Sequence, residues 1–249
     1  MNDSTNQPKP RRRRWPWIIG LLALVGLVVG VGIPYVYIHF INKPAKRLSF
    51  AERDKQLASQ SGTVTTTATK LTPASDGVTG SWKVVAPSTA GYRVKEVIAG
   101  QKAEGVGRTD KVDGSVVIDG TRVTKAELSV DLASVKSDQA RRDEQFHGRI
   151  MSTDEFPVAI FTLDEPIDLA TVPGDGVAVH ASAKGTLSMH GVDKQMTIPV
   201  QARRAGANIE INGSVELVFK DFGIDSPSIG PVTTEDHGLL EFLVTLSRS

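Results

Sequence analysis

The sequence predicts a mainly β domain, an antiparallel sandwich or barrel, placed behind a single apolar span. Three observations lead there. From Gly80 onward apolar and polar residues alternate with period two in short runs. Turn-forming clusters punctuate those runs at Val112-Asp113-Gly114, Asp119-Gly120, Pro173-Gly174-Asp175-Gly176, His190-Gly191 and Ala205-Gly206. Only one stretch of the region has helical composition. Many short alternating strands with few helices fit an antiparallel architecture.

Composition narrows the class further. The chain has 249 residues, a formal net charge of +1 and no cysteine. A disulfide-stapled miniprotein, a thiol enzyme, a Cys-ligated zinc site and an iron–sulfur protein are therefore excluded. The near-zero charge also argues against a nucleic-acid partner, which needs a cationic face. That total averages two unlike parts. Residues 1–79 carry 11 basic and 4 acidic residues, whereas residues 80–249 carry 18 and 24.

The N-terminal part reads as a membrane anchor. Residues 1–14 form a basic tail ending in Arg11–Arg14. From Trp15 to Asn42 there is no Asp, Glu, Lys or Arg, and Ile18 to Ile33 consists of Ile, Leu, Val, Ala and Gly alone. About 20 apolar residues cross a bilayer as a helix, so a transmembrane helix is expected over 15–41. Trp15, Trp17, Tyr35 and Tyr37 sit where aromatic rings favour headgroups. The arginine run places the tail in the cytoplasm and the following domain outside. A cleaved signal peptide would have a shorter apolar core ending in small residues; this one ends in Tyr-Ile-His-Phe-Ile. Residues 42–79 are expected to be a flexible stalk, because the Ser/Thr-rich segment 61–79 lacks the apolar surface needed to offset its ordering entropy.

The domain spans 80–249. Its runs are Ser81–Val85, Tyr92–Val97, Gly114–Ile118, Ala126–Leu132, Ala159–Leu163, Val177–Met189, Met196–Val200, Ile209–Phe219 and Leu239–Leu246. Alternation assigns Leu128, Val130, Leu132, Ala159, Phe161, Leu163, Leu187, Met189, Met196, Ile198, Phe219 and Leu243 to the interior. The stretch from Ser137 to Met151 is helical in composition, with Ser137 or Asp138 as cap. Phe146 and Ile150, four apart, share a face that fits over one end of a barrel.

Four motifs in order resemble the YceI-like, polyisoprenoid-binding protein family. They are Arg142-Asp143-Glu144-Gln145-Phe146-His147 leading to Phe156-Pro157-Val158-Ala159-Ile160-Phe161, then Gly185-Thr186-Leu187-Ser188-Met189-His190-Gly191-Val192-Asp193-Lys194, then Lys220-Asp221-Phe222-Gly223-Ile224, then the final strand Leu239 to Leu246. The chain departs from the family opening at Ala86-Pro87-Ser88-Thr89-Ala90. The resemblance implies a lipocalin-like barrel of about eight strands with one or two short helices. It also implies an apolar cavity for a polyprenyl lipid, quinone or similar amphiphile, and it admits a homodimer.

On this reading the ligand contacts are Leu128, Val130, Phe146, Ile150, Ala159, Phe161, Leu163, Leu187, Met189, Met196, Ile198, Phe219 and Leu243. Arg142 and His147 would meet a headgroup, since a guanidinium forks onto phosphate oxygens. His190 precedes a glycine and is expected to stabilise a turn. No nucleophile elbow, Walker loop, dinucleotide fingerprint or zinc-ligand spacing occurs, so no catalytic residue, metal or cofactor is expected. Two other classes stay open: an envelope interaction domain with a filled core, and an enzyme on a lipid-linked substrate using His147 with an acidic neighbour.

Overall fold

The computed structural model describes residues 15–32, 35, 44–60, 77–98, 100–230 and 232–249. The basic tail 1–14 and the Ser/Thr-rich residues 61–76 lie outside the described residues. Helix α1, Trp15–Leu27, hands over to a π-helical turn, Val28–Gly32. Among the described residues no helix is long and apolar enough to cross a membrane. The rest of the expected span, apart from Tyr35, lies outside the described residues.

Twelve strands follow: β1 Gly80–Ile98, β2 Gln101–Thr109, β3 Val112–Asp119, β4 Arg122–Asp131, β5 Lys136–Ser137, β6 Val158–Leu163, β7 Ile167–Asp168, β8 Val179–Met189, β9 Val192–Ala205, β10 Asn208–Val218, β11 Val232–Thr234 and β12 His237–Arg248. Eight of them close a barrel in the order β1-β12-β10-β9-β8-β6-β4-β3 and back to β1, every pair antiparallel. Closure leaves no free sheet edge within the barrel. The remaining strands are accessory: β2 continues from the second half of β1, and β5, β7 and β11 are short additions to β2, β4 and β1.

Tight hairpins set the register where the sequence places turn residues. His190 and Gly191 both adopt positive φ, 53° and 74°, between β8 and β9. That is the left-handed region a two-residue hairpin needs. At Gly185 the backbone lies under the Phe161 ring, so a methyl there would overlap both the ring and the Thr162 carbonyl.

Among the described residues, two further helices accompany the barrel. Helix α2, Phe50–Gln60, begins at Ser49, whose Oγ accepts the Glu52 N–H at 3.2 Å. Helix α3, Ala140–Gln145, continues as a π-helical turn, Phe146–Ile150, across one barrel end. Its N-cap is Gln139 without a side-chain bond, and neither Ser137 nor Asp138 occupies that position. Ser137 and Asp143 are instead bonded to each other, the Asp143 carboxylate accepting the Ser137 N–H at 2.8 Å and its hydroxyl at 2.6 Å.

The stalk expectation is corrected over 44–60 and 77–79. Phe50 and Arg53 are buried against the outer barrel wall. Val78 is buried in the cluster around Trp82, whose indole N–H donates to the Val78 carbonyl at 2.9 Å. Polar composition misled here because ion pairs, rather than apolar area, hold most of the segment down.

Candidate functional site

The inward faces of the eight strands enclose an elongated apolar cavity of about 280 Å³. It runs between two buried clusters. One contains Phe146, Leu187, Met189 and Phe222 beneath α3; the other contains Trp82, Val116, Ile118 and Leu246 at the opposite end. The volume sits near the lower edge of ligand pockets, about 300–1,000 Å³, and suits a slender chain better than a bulky one.

Leu128, Val130, Phe146, Ile150, Ala159, Phe161, Leu163, Leu187, Met189, Ile198 and Phe219 line this cavity, as do Leu132 and Arg142. Three expected contacts do not. Leu243 is only 3% exposed, but it belongs to the outer face of β12, beneath residues 44–60. The inward residues of that strand are Leu240, Phe242, Val244 and Leu246. Alternation failed there because β12 is apolar on both faces. Met196 packs against the cluster around Leu187 and Phe222 without lining the cavity. His147 turns away from it, donating from Nε2 to the Val135 carbonyl at 2.9 Å. It anchors the α3 turn and does not line the cavity where a headgroup contact was expected.

The cavity's polar end was visible only in part. Tyr92 and Glu96, not expected as lining, face inward from β1 beside Arg142. The spacing Tyr92-x-Val94-x-Glu96 carried the signal, but an inward glutamate contradicts an apolar template. The Tyr92 ring stacks on Phe146 with centroids 4.9 Å apart and lies over Gly107, where a Cβ would overlap it. Burial pushes the Tyr92 phenol well above its ordinary value. Arg142 reaches Glu96 at 3.3 Å and also pairs with Asp138. Burial alone would lower its pKa, but Glu96 and Asp138 outweigh that and raise it. Its charge is therefore already met by two carboxylates.

Three of the sequence motifs converge beneath the opposite side of α3. His190 donates from Nδ1 to the Phe222 carbonyl at 2.9 Å, and its ring lies 5.1 Å from that of Phe156. Lys194 pairs with Asp221. His190, expected to stabilise its own turn, instead ties the β8–β9 hairpin to the 3-10 turn Phe219–Phe222. Among the described residues no cluster of His, Asp and Glu has metal-binding geometry.

The model of the YceI-like domain matches residues 82–246. The chain belongs to the YceI-like family. The YceI-like domain resembles the structure of a polyisoprenoid binding domain from Saccharophagus degradans implicated in plant cell wall breakdown. That match has a TM-score of 0.55 and 17% identity, covering 68% of this chain and 98% of the other. Burkholderia cenocepacia BcnA matches with a TM-score of 0.48 and 18% identity over 63% and 95% of the two chains. A Campylobacter jejuni YceI protein gives 0.43 and 14% over 56% and 83%. No curated protein shows significant similarity. The docked segment 44–60 lies before the first residue matched to the YceI-like domain.

Proposed function

We propose that the protein is a membrane-anchored lipid-binding barrel that sequesters or carries an isoprenoid-type amphiphile, a polyprenyl lipid or a quinone. The apolar cavity inside the barrel is the observation that carries this reading. Burying an apolar chain in it would stabilise a complex by about 25 cal/mol per Å² of apolar area, with no catalytic group required. Its structural relative from Saccharophagus degradans is described as polyisoprenoid-binding, which supports the same ligand class. The expected contacts are the eleven lining residues named above. Because Glu96 and Asp138 already neutralise Arg142, an uncharged polar head fits this end better than a phosphate.

The anchor completes the reading. The uncharged stretch 15–41 would hold the chain in the cell membrane as a single pass, with the arginine run in the cytoplasm and the barrel outside. Organic extraction and native mass spectrometry of the purified full chain test the ligand. A copurifying hydrophobic molecule, or uptake of a polyprenyl lipid or long-chain quinone, is the expected result. Absence of both would overturn the proposal.

A further inference from the structure

Residues 44–60 cross the outside of the barrel in a fixed direction. Arg53 reaches Glu210 at 3.2 Å and the Thr245 hydroxyl at 2.8 Å, and it also donates to the Pro87 carbonyl. Farther back, the Leu48 N–H donates to Glu241 at 3.2 Å while its carbonyl accepts from Asn212 at 3.0 Å. Farther back still, the carbonyls of Ala45 and Lys46 accept from Arg93 and Arg108 at 2.6 and 2.8 Å. Glu210 is paired with Thr245 across the sheet, and Arg93 with Leu239. The segment's partners therefore move from Thr245 towards Leu239 as its numbering falls. Its N-terminal side leaves the barrel at the end of β12 that begins with His237.

That end carries exposed apolar side chains. Val97, Val218 and Ile229 are 40%, 41% and 39% exposed. Pairing places them at the same end: Val218 opposes His237, Val97 opposes Thr233, and Ile229 bridges to Val232, itself opposite Ile98. Exposed Lys46 and Arg47 stand where the segment departs. Glu235 and Asp236 share the rim but are paired, with Lys95 and His237.

We propose that the docked segment 44–60 is an orienting latch that presents the Val97–Val218–Ile229 rim to a lipid bilayer. This rests on the anchor proposed above. With 15–41 in the membrane, residues 42–43 separate it from the latch, and the three steps from Ile41 to Pro44 reach about 10–11 Å at ~3.3–3.6 Å per residue. The opposite rim lies beyond Arg248, nine residues from Leu239, or roughly 30 Å along the strand at ~3.3 Å per residue. So short a tether cannot turn that rim to the bilayer while the latch holds. Val and Ile side chains suit the headgroup–acyl boundary, and Arg47 at the exit suits anionic headgroups, whereas Lys46 is paired with Glu52 at 2.9 Å.

The chain has no cysteine, so a single introduced thiol carries a fluorophore uniquely. The full chain is reconstituted in phosphatidylcholine–phosphatidylglycerol vesicles containing a headgroup spin-labelled lipid. Val218→Cys and Ile229→Cys probe the near rim. Val177→Cys, 57% exposed beside the β9–β10 turn, probes the far one. Near-rim labels should be quenched more than twofold over the far-rim label, and inserting twelve Gly/Ser residues between Lys43 and Pro44 should abolish the difference. Equal or reversed quenching would overturn the orientation. A difference that survives the insertion would overturn the latch as its cause. Failure of the chain to float with vesicles would overturn the anchor, and this inference with it.

Discussion

The Nδ1–H of His190 donates across 2.9 Å to the carbonyl oxygen of Phe222, 32 residues away. The bond joins the β8–β9 hairpin to the short 3-10 turn Phe219–Phe222 at the end of β10. Phe222, 1% exposed, is thereby held in the cluster that closes the cavity under α3. His190→Ala should cost about 1–3 kcal/mol, since it leaves a part-buried carbonyl unpaired and puts alanine in a left-handed conformation. His190→Asn tolerates that backbone and isolates the lost bond. Urea unfolding of the two variants checks this; unchanged midpoints in both would contradict it.

Phe161 and Ala183 both line the cavity and separate a binding site from a filled core. In a close-packed core Phe161→Ala costs about 3–5 kcal/mol. Where the ring borders an open cavity, the expected loss is below about 2 kcal/mol, accompanied by altered uptake of a polyprenyl probe. Ala183→Phe should fold and block uptake. A full core penalty at Phe161, with no effect of Ala183→Phe on uptake, would favour the interaction-domain reading.

Tyr92 gives an alkaline signature. Burial raises its folded-state pKa above the ordinary value of 10, so its stabilising contribution is intact below pH 10 and is lost as pH rises from there towards the folded pKa. The slope is at most about 1.4 kcal/mol per pH unit. Urea midpoints measured between pH 9 and 11 should fall for the native chain, and the Tyr92 contribution to that fall should disappear in Tyr92→Phe. Identical slopes would contradict the assignment.

The latch should loosen in acid. The hydrogen bond from Arg203 lowers the pKa of Asp54, and Lys46 and Lys55 lower that of Glu52. For depressed carboxylates the stabilising contribution is present above the unfolded pKa and lost as pH falls through the folded one. Amide protection of α2, corrected for intrinsic exchange, should fall severalfold below about pH 4 while β12 stays protected. In an Asp54→Asn, Glu52→Gln chain α2 should be less protected already at neutral pH. Acid-insensitive α2 protection in the native chain would contradict this.

The barrel was legible because a closed sheet with an apolar interior imposes period two on strand after strand. Leu128, Val130, Ala159, Phe161 and Leu187 were placed by that rule alone. It broke at β12, where Leu243 is apolar because it faces a second buried layer and not the cavity. It also missed Glu96, whose inward charge is stabilised by Arg142, a residue 46 positions away. The Ser49-x-x-Glu52 capping pattern is a signal of α2 that the stalk expectation passed over, and polar composition concealed that α2 docks.

By itself, the sequence determined the antiparallel β class, the family and most of the cavity's apolar lining, because alternation and turn chemistry are local properties. Only the tertiary structure decided what meets across the barrel. It closes β1 on β12, sets Arg142 between Glu96 and Asp138, ties His190 to Phe222, and lays residues 44–60 over Glu210 and Glu241. These are contacts between residues far apart in the chain, and their value depends on burial, which no local pattern encodes.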